Sequence, residues 1–282
     1  MTVHTTLISV AELAALAPDQ VLIVDCRTDL ADRGKSAALY HESHIPGAVL
    51  ASLEDDLSDL ARMAEGLGRH PLPTEDAFSA LLSRWGWHPG LQVVAYDGAG
   101  GALAASRLWW MLRLVGIREA AVLNGGWQAW IAAGKPVDTA APLRLPTQVS
   151  MRYDASQLLL EHRVDAPGCL LIDARAMPRF RGDIEPLDPV AGHVPGARNR
   201  PYVENLDEQG QFKSSDTLRA AFEQVLDGHA PAEVVHMCGS GVTACHNLLA
   251  MEHAGLHGAR LYAPSWSGWI SDRSRPVARG AE

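Results

Sequence analysis

Short apolar runs, each ending at a polar residue or a cysteine, punctuate the chain. They are Val21-Leu22-Ile23-Val24 before Asp25, Val93-Val94-Ala95-Tyr96 before Asp97, Leu170-Leu171-Ile172 before Asp173, and Val234-Val235-His236-Met237 before Cys238. Runs of this length without polar alternation predict strands covered on both faces. Helical spacing of apolar residues follows two of them, over 102–115 and 244–254. Strands alternating with helices predict an α/β fold in which a parallel sheet is flanked by helices, with ligands bound beyond the carboxyl ends of the strands. Asp97 and Cys238 both fall at such ends. Two segments carry a capping-box pattern that predicts a helix start: Ser9-x-x-Glu12, opening Val10, Leu13, Ala14 and Leu16, and Asp154-x-x-Gln157, opening Leu158, Leu159 and Leu160.

The pattern is written twice. Asp25-Cys26-Arg27 after its strand recurs as Asp173-Ala174-Arg175, and His44-Ile45-Pro46-Gly47-Ala48 recurs as His193-Val194-Pro195-Gly196-Ala197. Strand 93–96 with Asp97 answers strand 234–237 with Cys238. Gly126-Trp127-Gln128-Ala129-Trp130 answers Ser265-Trp266-Ser267-Gly268-Trp269. Four landmarks in one order, each returning roughly 140–150 residues later, mark a duplicated domain. The expected division is a first domain over 1–135, a linker over 136–150 and a second domain over 151–282. The linker carries Pro136, Pro142 and Pro146 and has no periodicity.

Composition narrows the function. At 282 residues, 47% hydrophobic and 20% charged, the chain reads as a compact protein of one large or two ordinary domains. A formal charge of −9 argues against a nucleic-acid partner, which needs a basic face. No apolar stretch approaches the ~20 residues that cross a bilayer, and no secretory leader is legible, so neither a membrane partner nor export is expected. Cys26, Cys169, Cys238 and Cys245 show no C-x-x-C spacing, so no metal site, cofactor or disulfide framework is expected. A cytoplasmic, reducing location suits a protein that depends on a free thiol.

Cys238-Gly239-Ser240-Gly241-Val242-Thr243 is the candidate chemistry. A strand delivers the cysteine to a tight loop that opens a helix, so consecutive backbone N–H groups and the helix terminus converge near the sulfur and favour its thiolate. Gly239 and Gly241 are both expected to use the positive φ that lets such a loop close. The bland alternative is a buried core cysteine at a strand end. The strand–loop–helix context favours a nucleophile.

These landmarks, from about Val3 to Val277, resemble the tandem-domain rhodanese superfamily, and the loop is similar to that of its 3-mercaptopyruvate sulfurtransferases. The resemblance implies that only the second domain is catalytic, since Asp97 stands at the cysteine position of the first. It implies that Cys238 takes sulfur from a small donor as a persulfide and passes it to cyanide, a small thiol or a protein thiol. The backbone of Gly239, Gly241, Val242 and Thr243 would cradle that sulfur. Ser240 would hydrogen-bond the departing oxygen, or else cap the following helix. Within Asp173-Ala174-Arg175-x-x-x-Arg179, Arg179 matches the residue that grips the donor carboxylate; its alternative is a surface pair with Glu185 or Asp183. Arg175 reads as a structural partner of Asp173. Mercaptopyruvate enzymes carry a second arginine in a Glu-Pro-Arg context, whereas this chain reads Glu185-Pro186-Leu187. Either Arg181 or Arg198 substitutes, or the donor differs. Thiosulfate enzymes place Arg-Lys directly after the cysteine, where this chain has Gly239-Ser240, so thiosulfate is the alternative donor. A sulfur carrier that docks a protein acceptor is a further alternative.

Other candidates read as scaffold. His44 and His193 occur in both copies, one of which lacks a cysteine at its loop, and are expected to be structural. Cys245 lies nearly two helical turns from Cys238 and is expected in the core. The paired tryptophans 127, 130, 266 and 269 read first as packing. A phosphatase of the same fold would need the arginine of Cys-x5-Arg, and Ala244 stands there. Gly98-Ala99-Gly100-Gly101 lacks the G-x-G-x-x-G spacing of a dinucleotide site.

Overall fold

A computed structural model describes residues 3–29, 32, 34–160, 164 and 168–281. They form two compact units, each built on a five-stranded sheet in which all pairings are parallel. The first unit contains β1 (Leu7–Ile8), α1 (Val10–Ala15), β2 (Val21–Asp25), α2 (Lys35–Glu42), β3 (Val49–Leu50), α3 (Glu75–Arg84), β4 (Gln92–Tyr96), α4 (Ala104–Leu114), β5 (Ala120–Leu123) and α5 (Gly126–Ala132). The second contains β6 (Leu158–Leu159), β7 (Leu170–Asp173), α6 (Met177–Arg181), β8 (Arg198–Asn199), α7 (Ser215–Leu226), β9 (Val234–Met237), α8 (Ala244–His253), β10 (Arg260–Tyr262) and α9 (Ser265–Trp269). Strand orders β1-β5-β4-β2-β3 and β6-β10-β9-β7-β8 correspond position by position.

The apolar runs become the central strands for the reason their composition gives. Every residue of β2, β4, β7 and β9 is buried, so no position can be polar without a partner. The polar residues that close these runs are answered locally. Asp25 receives Arg27 at 2.6 Å, and Asp173 receives Arg175 at 2.7 Å, with all four side chains almost fully buried. Each arginine also lies over a tryptophan of the answering motif, Arg27 over Trp127 at 4.2 Å and Arg175 over Trp266 at 4.7 Å. Trp130, Trp266 and Trp269 are buried in the apolar clusters of their units, and Trp127 packs against its own. The duplicated tryptophans therefore hold the scaffold.

The repeated histidines do the same. His44 is buried, stacks on Tyr40 at 3.9 Å and bonds the carbonyls of Tyr40 and Ala140. His193 is buried, stacks on Phe180 at 3.8 Å and bonds the Phe180 carbonyl. A stacked ring anchored to a backbone carbonyl fixes a turn in each copy, and the second nitrogen of His193, Nε2, is buried.

One expectation needs correction. The Ser9–Glu12 capping box is present in full, but Asp154-x-x-Gln157 does not open an α-helix. Ala155–Gln157 make one 3₁₀ turn, and Leu158–Leu159 pair with β10 as an edge strand. A ladder partner for Leu158 and Leu159 outweighs a local cap. The two compact units exchange short segments of chain. Leu60–Pro71 packs within the second unit, Glu208–Phe212 within the first, and residues up to Asp154 belong to the first. The proline-rich segment is irregular yet tied down: His44 and Asp138 exchange two backbone hydrogen bonds of 2.8 Å, and Thr147 N–H reaches the Ser83 carbonyl at 3.0 Å.

His236, in the middle of β9, gives the second unit a pH signature. Burial, helped by the nearby Arg200 cation, lowers its pKa to about 3. Its Nε2 meets the Met251 sulfur at 3.0 Å, and Nδ1 has no partner among the described residues. The native ring therefore stays neutral, whereas the unfolded ring takes a proton below its ordinary pKa near 6.5. Its contribution to stability is complete above that value and falls by about 1.4 kcal/mol per pH unit down to the native pKa. Equilibrium denaturation between pH 7 and 4.5 should show this slope, and His236→Leu should reduce it by close to one proton.

Candidate active site

Strand β9 ends at Met237, and Cys238 follows, buried with 2% of its surface exposed. The start of α9 clamps it. Cys238 N–H donates to Ser265 Oγ at 3.1 Å, Trp266 N–H donates to the Cys238 carbonyl at 3.0 Å, and Ser267 N–H donates to the Gly239 carbonyl at 2.9 Å. The first copy repeats the central bond, with Trp127 N–H on the Asp97 carbonyl at 2.9 Å. That alignment pairs Ser265 with Gly126. Both sit in the left-handed region, at φ 52 and φ 57, which is unusual for a residue with a side chain. The Ser265 hydroxyl compensates by accepting from Cys238 N–H and donating to the Tyr262 carbonyl at 3.0 Å.

The two loop glycines serve different ends. Gly241 has φ +76, and a Cβ there would lie 2.4 Å from the Ala263 carbonyl oxygen. Gly239 is not in the left-handed region, contrary to expectation. Its bareness is steric: a Cβ would stand 3.2 Å from Arg69 Nη2 and 3.6 Å from both Nη atoms of Arg179. Val242 and Thr243 lead into α8 at Ala244, and their carbonyls accept from Cys245 and His246 N–H. The residue at the helix boundary is Thr243, without a side-chain cap bond, so Ser240 does not cap α8. Its hydroxyl bonds His70 Nδ1 at 2.8 Å instead. Cys245 is buried and donates its thiol to the Gly241 carbonyl at 3.4 Å, a core position.

A chain of alternating charges runs from the end of β7 towards the loop. Asp173 pairs with Arg175, Arg175 with Glu185 at 3.4 Å, Glu185 with Arg179 at 2.7 Å, Arg179 with Asp188 at 3.2 Å, and Asp188 with Arg69. Burial works against ionisation of Glu185, but Arg179 and the N–H groups of Leu187 and Asp188 outweigh it and hold its pKa below the ordinary value. At Asp188 burial prevails over the arginines and raises the pKa. Arg179 thus pairs with Glu185, as one expectation had it, while also reaching the loop. Asp183 pairs with Arg181 instead. The substitutes expected for the missing arginine are engaged elsewhere: Arg181 with Asp183, and Arg198 with the Val225 carbonyl and Asp227. The cation that does arrive is Arg69.

Sequence reasoning missed Arg69, His70 and Ser265. Arg69 and His70 come from the earlier half of the chain and carry no motif. Their one local signal is Gly66-Leu67-Gly68, where both glycines have positive φ and a Cβ at Gly68 would lie 2.4 Å from the Pro264 carbonyl oxygen. Ser265 was legible only as the residue answering Gly126 in the repeat.

The first copy displays what such a loop does for an anion. Asp97 Oδ1 accepts from the N–H groups of Ala99 (2.8 Å) and Gly101 (2.9 Å), and Oδ2 from Leu103 (3.0 Å) and Ala105 (3.3 Å). Burial nevertheless raises its pKa. Among the described residues no group of three or more His, Cys, Asp or Glu side chains could hold a metal, and no helix is long and apolar enough to cross a membrane.

Comparison with known proteins places these features. The rhodanese-like domain family matches twice, over residues 9–133 and 156–272. A Pseudomonas aeruginosa protein named "Probable 3-mercaptopyruvate sulfurtransferase" is 45% identical over 281 residues, covering 97% of this chain and 98% of that protein. The thiosulfate sulfurtransferase of Cricetulus griseus is 34% identical over 242 residues, covering 82% and 78%. The structure of 3-mercaptopyruvate sulfurtransferase from Leishmania major superposes with a TM-score of 0.82 at 32% identity, covering 93% of this chain and 73% of that one.

The two glycines separate on mutation. Gly241→Ala drives a Cβ into a fixed carbonyl at a positive φ and should cost at least about 2 kcal/mol. Gly239→Ala meets guanidinium ends no nearer than 3.2 Å, which need give only a few tenths of an ångström, and should cost less than about 1 kcal/mol. Thermal denaturation of both variants checks the contrast; equal losses would contradict it.

Proposed function

The chain belongs to the rhodanese-like family, and from this we infer that it is a sulfurtransferase that moves sulfur from 3-mercaptopyruvate to a thiophilic acceptor through a persulfide on Cys238. The observation that carries the reading is the Cys238 loop, clamped at the carboxyl end of β9, with two guanidinium groups beside Gly239. Asp97 supports the role of the loop backbone, because the matching turn of the first copy directs four N–H groups onto an anion.

The first half-reaction is attack of the Cys238 thiolate on the donor sulfur. The S–S bond forms as the C3–S bond breaks, and the electron pair leaves on carbon as the enolate of pyruvate. The Ser240 hydroxyl, held by His70, is placed to hydrogen-bond that enolate and to pass a proton towards it. The persulfide anion is held by the N–H groups of Gly239, Gly241, Val242 and Thr243. In the second half-reaction cyanide or a thiol attacks the outer sulfur, the S–S bond breaks, and the Cys238 thiolate is restored. The acceptor is a soft nucleophile, a small or protein thiol included, and a reducing compartment such as the cytoplasm suits it.

Electrostatics favour mercaptopyruvate over thiosulfate. Thiosulfate carries two charges beside the sulfur it gives up, and Gly239-Ser240 carry no cationic side chain of their own; the guanidiniums beside Gly239 belong to Arg69 and Arg179, from other segments. Mercaptopyruvate keeps its carboxylate several bonds from sulfur, within reach of Arg179. The first domain, with Asp97 at its loop, is non-catalytic in this reading.

Cys238→Ser should reduce cyanide-dependent thiocyanate formation to below a few per cent, while Cys245→Ser keeps most of the rate. Equal loss in both would contradict a single-cysteine cycle. kcat/KM for 3-mercaptopyruvate should exceed that for thiosulfate, and Arg179→Ala should lower the former by roughly thirty-fold or more, since losing one partner of a charge-assisted pair costs about 2–5 kcal/mol. A wild type that prefers thiosulfate would overturn the donor assignment.

A further inference from the structure

The chain lacks a second arginine near Leu187, yet the loop is not served by Arg179 alone. Arg69 reaches it from the Leu60–Pro71 segment that packs within the second unit. Asp188 is bonded by both guanidiniums, Arg69 through Nη1 and Arg179 through Nη2, so one buried carboxylate sets their spacing. Arg179 further binds Glu185 through Nε and Nη2. That leaves Arg179 Nη1 and Arg69 Nη2 without hydrogen-bond partners among the described residues, and these are two of the atoms that close around Gly239. Two spare N–H edges, held at fixed spacing beside the residue that follows Cys238, match a carboxylate.

We propose that Arg69 and Arg179 together form the donor's carboxylate clamp, that Asp188 positions the pair, and that residue 239 is glycine because any side chain would displace it. Arg69 is thus a specificity-determining residue supplied by a segment remote in sequence. The inference rests on the sulfurtransferase reading above and names the residues that select a 2-oxo acid donor. Because both guanidiniums are already ordered by carboxylates, the donor does not bear the cost of ordering them.

The test compares two donors sharing one reacting group, 3-mercaptopyruvate and mercaptoacetone, which has a methyl in place of the carboxylate. Thiocyanate formation is measured for wild type, Arg69→Ala and Arg69→Lys. The expected result is at least a tenfold fall in kcat/KM for mercaptopyruvate in Arg69→Ala, chiefly through KM, with a smaller fall in Arg69→Lys. The ratio of kcat/KM between the two donors should fall at least tenfold as well. A merely structural role would lower both donors alike and leave that ratio at its wild-type value, which would overturn the proposal. If Arg69→Ala does not fold, Arg69→Gln, which keeps an N–H towards Asp188, carries the same comparison. A wild type that forms no thiocyanate from either donor would refute the sulfurtransferase reading itself, and is distinguishable from failure of the clamp.

Discussion

The second unit is organised around a row of charges of alternating sign, from buried Asp173 and Arg175 through Glu185, Arg179 and Asp188 to a partly exposed Arg69. Charges out of water are tolerated only when each is answered, and removing one partner from such a pair costs several kcal/mol because the other remains buried. The row is therefore cooperative by necessity. Its near end is fixed to the sheet by Asp173 on β7 and its far end lies at Gly239, so the sheet determines where the last two guanidiniums stand. Asp188 shows the tension in this arrangement: its burial raises the pKa despite the arginines around it, so its carboxylate depends on both of them.

The duplication makes the specialised features visible by subtraction. Both copies keep the strand order, the Asp-x-Arg pair, the aromatic-stacked histidine and the tryptophan N–H on the carbonyl of the loop's first residue. These are what folding requires. The row of charges beyond Arg175 and the side chain at Ser265 belong to the cysteine-bearing copy. At Ser265 the first copy has glycine, the residue suited to a left-handed turn. The strain of a side chain there is offset by a hydroxyl that satisfies Cys238 N–H, a donor facing a buried strand end.

Much of this was legible in sequence because it is local. Fully apolar runs gave the central strands, and strands 234–237 and 93–96 lie where the pattern put them. The repeat supplied the parallel topology, and the loop pointed to Cys238. What was hidden depends on distant segments or on backbone angles. Nothing near Arg69 or His70 announces that residues 60–71 pack beside a loop some 170 positions later. The distinction between Gly239 and Gly241 is one of φ and of neighbouring guanidiniums, which residue type alone does not encode. Asp154-x-x-Gln157 misled because a cap is a local preference, and the leucines after it had a strand partner in β10.

Asp97 has a consequence of its own. A carboxylate attached to the very loop that binds it is a ligand at permanent saturation, never released and never diluted. Its copy is a filled receptor whose occupancy no solute can alter, and its share of the fold's stability is constant. The loop at Cys238 has no such tethered occupant. In the proposed reaction it alternates between thiolate and persulfide as sulfur arrives and leaves, so its stabilisation rises and falls with turnover. One ancestral cradle has thus become both a fixture and a working part.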